Sequence, residues 1–368
     1  MTGLWRILLL SAVLMLASSQ DSVSSDTGAA DTLRLLWKRT TPWKYLRTPA
    51  IADSTFYLMI EYGKLSELNL RDGRALREVT PPVSGGYKRP VVDNGSLFLV
   101  CDGNLTAYEI RTLAPLWSTD VSPPQIFDDG CGGGGRLHSL SSVCVDASHV
   151  YVCSSDTSVY CVDRITGDIE WKQPLKSVFS LAQPCLAEGC LLTAGHDAML
   201  SAFDPTTGEL LWDVPLGERV EYSGPQVLGN LAYVGGRGGS VICVDILTHA
   251  IRWQTRVGTR IRRPVSITEH LVCAADKQGV YGLDPMSGAL LWRRDTGGQG
   301  PVQADGLVYC FSADSNFVAL DSRTGRTIAA YPIGSDVFFS QPVVLSDRIL
   351  VAAHNSIYCF ERLRRHAD

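Results

Sequence analysis

The chain has 368 residues, a formal net charge of −5 and 11 cysteines. That charge excludes a global attraction to nucleic acid or to acidic membrane surfaces. The length alone would accommodate two or three domains, but a phrase recurring about every 40 residues argues for a single array.

Met1 to Arg6 carries a positive charge, and Ile7 to Leu16 is an uninterrupted run of apolar and small residues. Ala17-Ser18-Ser19 then offers the small residues of a cleavage site. The pattern predicts a secretory signal peptide over residues 1–19, too short for a spanning helix. No cysteine follows the apolar run, which argues against a lipoprotein anchor. Residues 20–30, rich in Ser and Asp, predict a disordered leader. Residues 362–368 form a polar tail without a retention signal or anchor. The mature protein is therefore expected in the secretory-pathway lumen or outside the cell, or in the periplasm of a bacterium.

Residues 31–361 carry the repeat. Its clear copies are Val162-Asp163-Arg164-Ile165-Thr166-Gly167-Asp168-Ile169-Glu170-Trp171 and Phe203-Asp204-Pro205-Thr206-Thr207-Gly208-Glu209-Leu210-Leu211-Trp212. The phrase returns from Val244 to Trp253 and from Leu283 to Trp292, and decays from Leu320 to Ala329. The acidic anchors Asp163, Asp204, Asp245, Asp284 and Asp321 are spaced 41, 41, 39 and 37 residues apart. Upstream, Glu109 and Asn69 take the anchor position; downstream, Glu361 does, but its tryptophan is missing. Leu33 to Thr40, containing Trp37, supplies that missing strand from the other end of the chain. Each period reads as four short Val/Ile/Tyr/Leu-rich strands separated by Gly, Asp, Asn and Ser turns. Asp bonds its own backbone in such turns, and Gly supplies positive φ. The predicted fold is all-β: a single eight-bladed β-propeller of four-stranded blades, its ring closed by the N-terminal strand, with seven blades as the alternative.

The phrase hydrophobic-Asp-x-x-Thr-Gly-x-x-x-Trp resembles the repeat of the PQQ-like, or quinoprotein-like, β-propeller family. The resemblance spans nearly all of residues 31–361, and Val337 to Val344 is similar to that family's innermost-strand signature. It implies that Trp37, Trp117, Trp171, Trp212, Trp253 and Trp292 dock between neighbouring blades. Arg77 and Ala329 depart from the pattern, so weaker contacts are expected there. Similar propellers include the bacterial outer-membrane assembly propeller, the C-terminal propeller of β-alanine-activating enzyme and luminal sensors of unfolded-protein kinases. These imply an exported non-catalytic scaffold that binds a protein or peptide partner. The alternative is a PQQ-type quinone-dependent or other small-molecule-binding oxidoreductase. Such enzymes use a calcium ion and an adjacent-cysteine disulfide over the cofactor, and this sequence has no Cys-Cys pair. Neither a cofactor nor catalytic residues are expected.

The cysteines divide by register. Cys161, Cys243 and Cys359 stand two residues before anchors, where other copies carry Ala or Gly, and Cys153, Cys273 and Cys310 fall on second strands. All six read as small packing residues; Cys101 and Cys144 read the same way. Cys185 and Cys190 flank a tight turn and are a candidate disulfide. Cys131, in a glycine-rich loop, is the candidate reactive thiol. Asn94-Gly95-Ser96 and Asn104-Leu105-Thr106 are candidate glycosylation sites.

The histidines are dispersed, with no His-x-x-x-His, no Cys-x-x-Cys and no nucleophile elbow, so no metal site is expected. His249 takes the glycine place of its turn. Two departures from the repeat are candidate binding elements. The Glu109-to-Asp163 interval is 54 residues, and its excess lies in Ser122 to Leu140, with Asp128, Asp129, Cys131, Arg136 and His138. It reads as a lid or partner loop, or equally as a mobile tip. Arg260, Arg262 and Arg263 precede Pro264 at an innermost-strand entrance, with Arg237 and Lys277 expected on the same face. They read as a site for a carboxylate, a phosphate or an acidic peptide, or else as rim charge paired with Glu218 or Glu221.

Overall fold

A computed structural model describes residues 31–41, 46–60, 64–81, 89–101, 103–121, 126–127, 135–136, 140–176, 182–334, 340–353 and 355–363. Among these every regular element is a strand. Eight antiparallel sheets follow one another along the chain, so the ring has eight blades and the seven-blade alternative falls. In blade 5, for example, the strands run Gln226–Leu228, Leu231–Gly235, Ser240–Asp245 and Ala250–Arg256 from the channel outward.

The last blade is completed from the N-terminus. Leu35–Thr40 pairs antiparallel with Ser356–Glu361, Trp37 opposite Cys359 and Thr40 opposite Ser356. The segment before it adds something the repeat did not announce. Asp31–Thr32 pairs in parallel with Thr327–Pro332, giving blade 7 a fifth strand. The N-terminus thus bridges the last two blades, and the free sheet edges that would otherwise invite association are covered.

The recurring phrase works as an interblade latch. Asp163 Oδ1 accepts the N–H groups of Ile165 (2.8 Å) and Thr166 (2.6 Å), folding the turn. The folded turn presents the carbonyl one residue after the anchor to the preceding blade's tryptophan. Nε1 of Trp117 donates to Arg164 O (3.0 Å), Trp171 to Pro205 O (3.0 Å), Trp253 to Pro285 O (2.9 Å) and Trp292 to Ser322 O (2.8 Å). Trp37 does the same to Leu70 O (3.3 Å) across the closure. Each of these indoles lies over the turn glycine, at Gly73, Gly167, Gly208, Gly288 and Gly325, where a Cβ would overlap the ring. Glycine is thus demanded twice, by positive φ and by the indole above it.

Across the sheet the same tryptophans need a small partner. Trp117 sits opposite Ala107, Trp171 opposite Cys161, Trp212 opposite Ala202, Trp253 opposite Cys243 and Trp292 opposite Gly282. That register explains why alanine, cysteine and glycine alternate there.

Two latches differ. Trp212 stacks on His249 (centroids 4.8 Å apart, planes at 23°), because the imidazole stands where the glycine would be. Arg77, expected to make a weaker contact, reaches the same turn carbonyl by charge: Nη2 donates to Ile110 O (3.3 Å) and Nη1 to Arg111 O. Glu67, in the small-residue position opposite it, takes Arg77 Nε at 2.5 Å.

The cysteine expectations separate here. The ten described cysteines are free thiols. Cys153, Cys161, Cys243, Cys273, Cys310 and Cys359 are fully buried in the sheets. The Cys185–Cys190 bridge is not formed. Hairpin register sets Cys185 opposite Leu192 and Cys190 opposite Ala187. Diagonal neighbours stand ~7–8 Å apart, beyond the ~4 Å between Cβ atoms that a disulfide requires.

Candidate functional site

Antiparallel topology places the anchor turns on one face of the ring and the loops entering each innermost strand on the other. The loops before blades 5 and 6 carry the basic cluster. In Arg260–Arg263, Ile261 is buried at 1 % exposure and its N–H binds Gly236 O (3.1 Å), so the flanking arginines are turned outward. Leu216 and Val220 anchor the blade 5 loop in the same way, both fully buried.

Asp276 holds the arginine loop in shape. Its Oδ2 accepts the Thr259 N–H (2.7 Å) and hydroxyl (3.0 Å), while Oδ1 accepts Gln278 N (2.8 Å), Gly279 N (3.0 Å) and Tyr281 OH (3.0 Å). Burial opposes its charge, but these donors prevail and keep its pKa below the ordinary aspartate value.

The arginines converge on Glu221, whose side chain is 8 % exposed. Arg260 clamps it with two donors, Nε to Oε2 at 2.9 Å and Nη2 to Oε1. Arg237 Nε lies 3.4 Å from Oε1 and Arg262 Nε 3.7 Å from Oε2. Burial would raise the Glu221 pKa, yet the Arg260 hydrogen bond and the charges of Arg260, Arg237 and Arg262 lower it. His196 joins from blade 4; burial first, then Arg219, Arg237 and Arg260, outweigh Glu221 and lower its pKa. Glu218 is occupied by the turn itself, accepting Gly238 N and Gln254 Nε2 (3.2 Å). Pairing of the arginines with Glu221 is therefore real, but three guanidinium groups share one carboxylate, and positive charge is left over.

Further cations line the same entrance. Arg263 immediately precedes Pro264, as Arg89 precedes Pro90; Arg47 stands two residues before Pro49. Burial chiefly, with the nearby charges of Arg47 and Arg262, pushes the Arg263 pKa down to about 10, against a pull from Tyr222. Burial likewise lowers Arg47, which also feels Tyr222. Arg89 is solvent-accessible by area, yet the protein around it still disfavours its charge and lowers its pKa.

Of the other candidates, Lys277 stands exposed on the adjacent turn of blade 6. Ile126–Phe127 and Gly135–Arg136 form a two-stranded ribbon in the long loop, Ile126 opposite Arg136. Asp128, Asp129, Cys131 and His138 lie outside the described residues. Asn94 is exposed in a hairpin turn at φ 42°, whereas Asn104 begins a third strand and is half-buried. Sequence reasoning missed Arg47, Arg89, Arg219 and His196. The arginine next to an innermost-strand proline, recurring in separate periods, was the available signal for Arg89.

A ring of eight four-stranded blades latched by an Asp…Gly…Trp phrase is a PQQ-like β-propeller. A family model described as outer membrane protein assembly factor BamB matches residues 14–173 and 196–367, and the chain belongs to that family. BamB of Shewanella oneidensis is 27% identical over 127 residues, 34% of this chain and 29% of that protein; the match spans less than a third of the relative's length. The structure of BamB from Moraxella catarrhalis superposes with a TM-score of 0.73 at 17% identity, over 92% of this chain and 100% of that one. Quinohemoprotein alcohol dehydrogenase ADHIIG from Pseudomonas putida HK5 superposes with a TM-score of 0.69 at 13% identity, over 92% of this chain and 78% of that one. At these identities the superpositions speak for the fold alone.

Proposed function

We propose that this propeller is an exported, non-catalytic scaffold that docks an acidic segment of a protein or peptide partner at its basic entrance face. The observation that carries the reading is the shared carboxylate. Among the described residues Arg237, Arg260 and Arg262 converge on the one carboxylate of Glu221, and Arg263 and Arg47 add partly desolvated charge nearby. A bound carboxylate would relieve that repulsion and accept paired guanidinium donors. Membership of a family named for outer membrane protein assembly supports a protein partner. Export rests on the signal-like residues 1–19, with Asn94 and Asn104 as acceptors of glycan in a eukaryotic lumen. No helix among the described residues is long and apolar enough to cross a membrane.

The alternative, a quinone-dependent oxidoreductase, fits the donors poorly. Among the described residues the entrance carboxylates Glu218, Glu221 and Asp276 already accept protein donors, and Arg47, Arg89 and Arg263 add cations there. Calcium with quinone absorbance in the purified protein would favour it over the scaffold. The scaffold reading is tested by affinity capture from the native secretory compartment with wild-type protein and Arg262→Glu/Arg263→Glu. The reversed protein should lose its specific partner while keeping its melting temperature. Retention of every partner would overturn the basic-entrance reading.

A further inference from the structure

A second constellation lies on the opposite face, in blade 3. His149 opens the second strand, Cys161 lies on the third, and Glu170 sits at the bulge where the outer strand slips register between Cys161 and Val162. Pairing of His149 with Asp163 and of Tyr151 with Cys161 turns these side chains to one side of the sheet. One donor atom from each of His149, Cys161 and Glu170 falls within 4.8 Å of the other two.

The imidazole is held as a ligand is held. Its Nδ1 side faces Tyr151 OH (3.2 Å) and the Asp146 carboxylate (3.4 Å to Oδ1), and its Nε2 faces Glu170 Oε2 at 3.0 Å. Asp146 is itself fixed by Ser148 N (2.8 Å), His149 N (2.6 Å) and Tyr151 OH (3.0 Å). A carboxylate behind one ring nitrogen and open donors before the other is the arrangement that orients metal-binding histidines.

Glu170 also breaks the repeat. The residue before the latch position is Leu36, Leu76, Leu116, Leu211 and Leu291 in five other blades, Ile328 in blade 7 and Arg252, paired with Asp245, in blade 5. In blade 3 alone of the eight the position carries a carboxylate, and it faces His149.

We propose that His149, Cys161 and Glu170 form a binding site for a divalent cation of the zinc class, with Asp146 orienting the histidine. Thiolate, imidazole and carboxylate together select zinc-like ions over calcium or magnesium, which prefer oxygen donors alone. The cation replaces the proton between His149 Nε2 and Glu170 and displaces the proton of Cys161. Three protein ligands leave a fourth position for water or a ligand atom.

The test uses the full reduced chain with Zn2+ by equilibrium dialysis and Co2+ by absorption. Wild type should bind one equivalent of either ion and give a thiolate-to-cobalt charge-transfer band. Cys161→Ser should abolish the band. Glu170→Leu, which installs the residue of five other blades and keeps the fold, should weaken Zn2+ binding by roughly tenfold or more. Absence of stoichiometric binding, a cobalt complex without the band, or unchanged affinity in Glu170→Leu would each overturn the proposal.

Discussion

Gly73→Ala probes the latch where the ring closes. Gly73 has φ +69°, and a Cβ there would lie 2.6 Å from Trp37 Cζ3 and 2.8 Å from Cε3. The left-handed conformation alone costs alanine ~1–2 kcal/mol. Displacing a packed indole adds ~1–3 kcal/mol, and a lengthened Trp37 Nε1 bond to Leu70 O adds up to ~1 kcal/mol. The expected loss is therefore roughly 2–6 kcal/mol. Gly189→Ala is the control, because Gly189 has φ +74° with nothing within 4 Å of the added Cβ. It should lose only the conformational ~1–2 kcal/mol. Equilibrium urea unfolding followed by tryptophan fluorescence compares the midpoints. Native-state hydrogen exchange should also rise first in Leu35–Thr40 and Ser356–Glu361 of the glycine-73 variant. Equal midpoints for the two variants would refute the latch as the source of interblade stability.

Deleting residues 31–40 should lower thermal stability and promote association, since it uncovers the Ser356–Glu361 edge and removes the parallel strand on Thr327–Pro332; light scattering during a thermal melt reads both. Glu221→Gln should destabilise the protein in a pH-dependent way. Its folded pKa is depressed below 4.5, so the carboxylate's contribution is present above 4.5 and fades as pH falls through the folded value. Wild-type and variant unfolding midpoints should differ near neutrality and converge in acid; a difference that persists undiminished in acid would contradict the Arg–Glu221 account.

The repeat made the fold legible because its residues answer local demands that recur in every blade. Asp163 folds its own turn, Gly167 admits the indole of Trp117, and Cys161 leaves room for Trp171, so each is constrained within or next to one period. The closure was legible for the same reason: Glu361 lacked a tryptophan and Trp37 lacked an anchor. What escaped was long-range or too short for a pattern. Asp31–Thr32 spans two residues and pairs in parallel with a distant strand. Arg77 and Glu67 replace the indole and its small partner with an ion pair, which no hydrophobic pattern signals. Arg47 and Arg263 lie in separate periods and meet only because the ring brings their loops to one entrance. His149 read as one of the dispersed histidines and Glu170 as part of the recurring phrase, but cross-strand register and a bulge put them 3.0 Å apart.

On the proposed function, the arginines gathered around Glu221 at the entrance recognise acid groups. The most direct test is fluorescence anisotropy of a labelled oligoglutamate peptide, titrated with the full chain over a salt series. Wild type should bind with an affinity that falls as salt rises, and Arg262→Glu/Arg263→Glu should bind roughly tenfold more weakly or worse, about 1.4 kcal/mol per tenfold. Salt-independent binding, or equal affinity in the reversed protein, would contradict it.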